Sequence, residues 1–106
     1  MRNNYKMAWH IRQYVKKELM DYKANKKMLD NYKGDTRGLI LAYTRISQID
    51  AVFDRLNKED REAAEIIFIE KYSQTGAEIA KGLSKRAYYN AMNKVIYLVA
   101  IEMGLM

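Results

Sequence analysis

The chain contains no proline, so no position is barred from helix by a missing backbone donor or by a ring clash with the preceding turn. Only five glycines punctuate its 106 residues, which leaves long unbroken helices sterically open almost everywhere. The reading is an all-α fold: a long amphipathic N-terminal helix followed by a small helical domain. Hydrophobic residues at 49% and charged residues at 30% describe a chain that folds rather than one that stays disordered. At this length the protein is one domain, or one small unit with an ordered extension, and a two-lobed enzyme core is excluded.

The apolar residues Met7, Ile11, Tyr14, Val15, Leu19, Tyr22 and Leu29 recur at helical spacing, with lysines and arginines between them. Ile11, Val15, Leu19 and Tyr22 line one side, and Arg12, Lys16, Lys23 and Lys27 lie around the other. Residues 1–33 therefore read as a basic amphipathic helix, ended by the glycine-flanked Gly34-Asp35-Thr36-Arg37-Gly38, where the main hinge is placed. Residues 34–106 read as the helical domain. A second stripe, Ile46, Ile49, Val52, Phe53 and Leu56, marks the next helix; its start is open, because Leu39-Ile40-Leu41 also reads as a tighter packing segment. Asn57 is an N-cap candidate with Glu59, Asp60 and Glu62 near the positive end of the following helix. That helix is expected to carry Ala63, Ile66, Ile67 and Phe68 inward and to finish around Tyr72 to Gln74.

Thr75-Gly76-Ala77-Glu78 matches a capping box, which places the start of a short helix at Thr75 and points Ile79 and Ala80 at the core. Gly82 permits a left-handed turn residue, and Ser84 can cap a last, long helix from Lys85 to about Met103. Tyr88, Met92, Val95, Ile96 and Val99 form its apolar edge. Two capped helices joined by a short glycine-containing turn outline a helix-turn-helix at about residues 75–103.

The polar face of that last helix gives the outline its chemistry. Lys85, Arg86, Tyr89, Asn90, Asn93 and Lys94 fill the positions that the apolar edge leaves over. Arginine can donate two hydrogen bonds to guanine, asparagine can pair bidentately with adenine, and lysine, serine and tyrosine can hold phosphates. With Lys81 on the bracing helix and Ser84 in the turn, these residues are the candidate contacts to double-stranded DNA. The competing reading is an ordinary solvated helix face.

Charge points the same way. The formal net charge is +6, and all of it comes from residues 1–33, which carry nine basic and three acidic residues; the remainder carries ten of each. A basic arm beside a balanced domain suits a polyanionic partner. For the aromatic-basic N-terminus three readings stand open: a packing and dimerisation helix, a nucleic-acid arm, and a membrane-surface helix, the last lacking a continuous apolar face.

The same inventory closes other routes. Without cysteine there is no disulfide, thiolate metal site or thiol nucleophile, and a reducing, cytoplasmic location is expected, with no secretory signal. His10 stands alone and reads as a surface residue rather than a metal ligand. The carboxylates Glu59, Asp60, Glu62 and Glu65 have the spacing of helix-start charges and no accompanying nucleophile. No cofactor, metal or enzymatic activity is expected.

Residues 56–103 resemble region 4 of bacterial sigma factors, and more closely the phage late-gene transcription regulators of the RinA/ArpU type. The resemblance is carried by Leu56-Asn57-Lys58-Glu59-Asp60-Arg61-Glu62, Ile66-Ile67-Phe68-Ile69-Glu70-Lys71-Tyr72, Thr75-Gly76-Ala77-Glu78-Ile79-Ala80 and Ser84-Lys85-Arg86-Ala87-Tyr88-Tyr89. The N-terminal Arg12-Gln13-Tyr14-Val15-Lys16-Lys17-Glu18-Leu19-Met20-Asp21-Tyr22 also looks like the basic helix of such regulators. It implies activation of phage or prophage genes in a bacterial host, with promoter DNA and RNA polymerase as partners. One departure is local: Lys81-Gly82-Leu83 is a couple of residues shorter than the family's link, so the first helix or the turn must be shorter. A second copy in a homodimer is a further candidate partner, and a DNA-recognition subunit of a phage packaging complex and a helical protein–protein adaptor remain as alternative functions.

Overall fold

The computed structural model describes residues 5–32 and 39–106, and all secondary structure in them is helical. Helix α1 spans Trp9–Asn31, α2 Ile40–Arg55, α3 Lys58–Ala64, α4 Gln74–Lys81 and α5 Lys85–Glu102; α3 runs directly into a π-helical turn, Glu65–Ile69. The hinge expected at residues 34–38 lies outside the described residues. None of the described helices is long and apolar enough to cross a membrane.

One hydrophobic core joins the elements. Val15, Leu19 and Tyr22 from α1 meet Ile46, Ile49 and Val52 from α2, Ala63 and Ala64 from α3, Ile67 and Phe68 from the π turn, and the long apolar edge of α5. Each expected stripe residue of α5, namely Tyr88, Met92, Val95, Ile96 and Val99, is buried. This central helix contacts α1, α2, α3 and α4 and is the axis about which the others are arranged. His10 is exposed.

The expected helix starts hold at two places. Asn57 Oδ1 accepts the Asp60 amide at 2.8 Å, and Ser84 Oγ accepts the Ala87 amide at 3.1 Å, each satisfying a donor that the first helical turn leaves free. The segment Leu39-Ile40-Leu41 opens α2 rather than packing tightly: Ile40 and Leu41 are 63% and 61% exposed.

Three expectations are corrected. The helix begun at Asn57 does not reach Tyr72; it widens into the π turn, where the Glu70 amide returns to the Glu65 carbonyl at 2.8 Å, and it is broken by Lys71 at φ 60°. Ile67 and Phe68 are both fully buried in this arrangement, while Ile66 is only half-buried. The next helix is capped by Ser73, whose Oγ accepts the Gly76 amide at 3.1 Å, and not by Thr75. Its inward residue is accordingly Ala77, fully buried, whereas Ile79 is 81% exposed and Ala80 is exposed. Moving the cap two residues upstream changes which side chains fall on the inner face, because successive helical residues are about 100° apart.

Candidate functional site

The site is a corner between α4 and α5. Gly82 adopts φ 67° and ψ 19°, the left-handed conformation that a residue without Cβ enters at no steric cost. Its amide and that of Leu83 return to the carbonyls of Glu78 and Ala77, both at 3.2 Å, so the C-terminus of α4 is closed before the chain turns. Leu83 packs against the core and Ser84 starts α5. The Tyr88 hydroxyl donates to the Tyr72 carbonyl at 2.8 Å and ties the first turns of α5 to the connection preceding α4. Burial pushes the Tyr88 hydroxyl pKa up.

Lys85 and Arg86 stand exposed in the first turn of α5, with no hydrogen bond or ion pair to any described residue. Asn90, one turn further along from Arg86, is exposed in the same way. Tyr89 is partly exposed, its ring held edge-on against Tyr88 at 5.2 Å between centroids. These four residues form one free surface of two hydrogen-bonding cationic groups, an amide and a phenol. Ser84 is exposed beside them; the cap uses its oxygen as acceptor and leaves its hydroxyl proton available to donate.

Of the other expected contacts, Lys81 and Lys94 are engaged within the protein. Lys81 Nζ lies 3.8 Å from Glu70 Oε2 and 5.5 Å above the Tyr72 ring. Lys94 Nζ is 2.5 Å from Asp60 Oδ2, and that hydrogen bond is the main reason its ammonium pKa is raised. Asn93 is half-buried. Asn90, Asn93 and Lys94 border a groove whose opposite wall carries Glu59, Asp60 and Glu62 of α3 and which Tyr5 also lines, its ring tilted 50° against that of Tyr97 at 5.1 Å between centroids. The eight expected residues therefore divide into a free cluster at the start of α5 and a flank that turns toward acids.

Thr75 is a further contact candidate that the sequence reading spent on capping. With Ser73 as the cap, the Thr75 hydroxyl is exposed in the first turn of α4 and has no partner among the described residues. The serine two residues upstream is the signal that could have revealed this, since serine is the stronger cap of the two.

No known family, curated protein or solved structure matches the chain.

Proposed function

We propose that the protein is a sequence-specific regulator of transcription that binds duplex DNA through the first turns of α5. The observation that carries this reading is the exposed cluster of Lys85, Arg86, Tyr89 and Asn90, of which Lys85, Arg86 and Asn90 have no partner among the described residues, on a helix whose opposite edge is buried. Arg86 and Asn90 sit one helical turn apart and have the side chains that read guanine and adenine in the major groove. Ser84 lies beside them at a position suited to a phosphate, and the Thr75 hydroxyl is exposed in the first turn of α4. The likeness of residues 56–103 to sigma region 4 and to RinA/ArpU-type regulators extends the proposal to activation of phage or prophage genes together with RNA polymerase.

The test is selection of bound sequences from a random duplex pool, followed by replacement of Lys85 and Arg86 by Ala. Wild type should recover a motif, and the double variant should lose that preference while its circular dichroism stays helical. Retained preference in the double variant would remove the assignment to α5. A palindromic motif would also indicate a dimer.

A helical protein–protein adaptor is the second reading. It is favoured by the apolar patch of Ile40, Leu41 and Tyr43 at the start of α2, each more than 60% exposed. Absence of any gel shift at low salt would make it the leading one.

A further inference from the structure

The cations of this protein divide by whether they have an acid within the fold. Among the described residues, Lys17, Lys26, Arg55, Arg61, Lys81 and Lys94 each lie within ion-pair distance of a carboxylate. Arg45 is hydrogen-bonded to Tyr14 and Gln48. Arg12, Lys16, Lys23 and Lys27 have no such partner among the described residues. Apart from Lys6, Lys58 and Lys71, which stand singly, the other unpaired cations among the described residues are Lys85 and Arg86 of the candidate site.

Those four residues of α1 form a single row. Their intervals of four, seven and four residues place them within about 60° of one another around the helix, over a length of about 22 Å. Charges at such spacing lie within or near one Debye length and repel one another. Packing accounts for part of the row only: Arg12 and Lys16 are half-buried beside the core edge of Val15, Leu19 and Tyr22, whereas Lys23 and Lys27 are exposed.

The row also has a defined place relative to the corner. Lys23 and Lys27 line a cleft against Glu65 and Ile69, the first and last residues of the π turn, and Glu70 beyond it, with Asp30 on their own side. Glu70 is in turn engaged by Lys81 at the end of α4. The lysine end of α1 thus lies against the π turn, which Glu70 links to the end of α4.

We propose that the Arg12, Lys16, Lys23 and Lys27 edge of α1 is a second DNA-binding surface, one that holds the phosphate backbone and reads no sequence. This rests on the duplex-DNA reading of α5. Along one strand, phosphates rise about 3.4 Å each, so a row of this length spans about six of them, and cations at this spacing can each take one. Its role is affinity and retention on the duplex, with selection left to Arg86 and Asn90.

The experiment is fluorescence anisotropy on a mixed-sequence duplex across a series of KCl concentrations. In K16Q/K23Q/K27Q the slope of log affinity against log salt should fall by about 2–3 relative to wild type, since each phosphate contact contributes about 0.9. The preference for the selected motif over mixed sequence should be unchanged. K16R/K23R/K27R, which keeps the charge, should retain the wild-type slope. Should the triple glutamine variant lose helicity, K27Q alone should lower the slope by about 1.

An unchanged slope in the glutamine variants, with wild type binding normally, would overturn the second surface and leave the α5 reading intact. So would binding to phosphatidylserine vesicles that the same substitutions abolish while DNA affinity stays constant. Wild type that binds no duplex at low salt would overturn both readings, whereas K85A/R86A keeping its motif preference would strike at α5 only.

Discussion

Lys94 Nζ lies 2.5 Å from Asp60 Oδ2 and fastens the middle of α5 to the first turn of α3. Both side chains are part-exposed, so the pair is worth about 1 kcal/mol rather than the several that a fully buried pair can cost when broken. Lys94→Met should lower stability by about that much, and Lys94→Met with Asp60→Asn should show coupling in a double-mutant cycle. Urea midpoints measure the stability terms. DNA affinity should fall far less in Lys94→Met than in Arg86→Ala; equal losses would place Lys94 among the contacts.

Residues 77 and 79 decide the register of α4. Ile79→Ser should change stability by no more than about 0.5 kcal/mol, the ordinary range for an exposed position. Ala77→Leu, which forces added volume into a fully buried position, should cost about 1–3 kcal/mol. Had Thr75 been the cap and Ile79 a core residue, the order of the two effects would be reversed, and thermal melts of the two variants distinguish these cases.

Two left-handed residues respond oppositely to substitution. At Gly82 an added Cβ meets nothing within 4 Å, so Gly82→Ala is opposed by backbone strain alone and should cost about 1 kcal/mol. At Lys71, where φ is 60° with a side chain present, Lys71→Gly relieves that strain and should stabilise by about 0.5–1 kcal/mol after the entropy of a freer unfolded chain is set against it. The expected readout is a melting temperature a few degrees lower for the first and higher for the second. A stabilising Gly82→Ala would contradict the left-handed turn.

Alkaline pH should destabilise the fold. Burial pushes the hydroxyl pKa of Tyr22 and of Tyr88 up, Asp50 adding to the effect at Tyr22, and the bond to Asp60 raises that of Lys94. A group whose folded pKa lies above its unfolded one contributes stability that is complete below the unfolded value and is lost as pH climbs through the folded one. All three act in the same direction, so stability should be level up to about pH 10 and fall beyond it. Thermal melts across that range measure the fall, and Tyr88→Phe should make it shallower. A decline that begins at neutral pH would point to other groups.

How much of this was legible varies along the chain. The helical class followed from the missing proline, and the stripes of α1, α2 and α5 followed from periodicity, because each of those helices has one edge committed to the core. Asn57 and Ser84 were readable as caps, since nothing competed with either. The π turn and the bend at Lys71 were not, as a lysine occupies the left-handed position where a glycine would have announced the end of a helix. At Ser73 and Thr75 two good caps stood close together, and the packing of Ala77 chose between them. The four free residues at the start of α5 were visible as a polar face, but the loss of Lys94 to Asp60, a partner 34 residues away, depends on how α3 crosses α5.

The bond from the Tyr88 hydroxyl to the Tyr72 carbonyl is asymmetric in what it asks of the sequence. Every amino acid brings a main-chain oxygen, so as far as this tether is concerned position 72 is free to drift. Position 88 is not: phenylalanine would fill the same space and leave the oxygen unanswered. The link between the first turns of α5 and the connection before α4 therefore depends on a single oxygen atom on one ring, and variants that remove it should loosen that connection before they unfold anything.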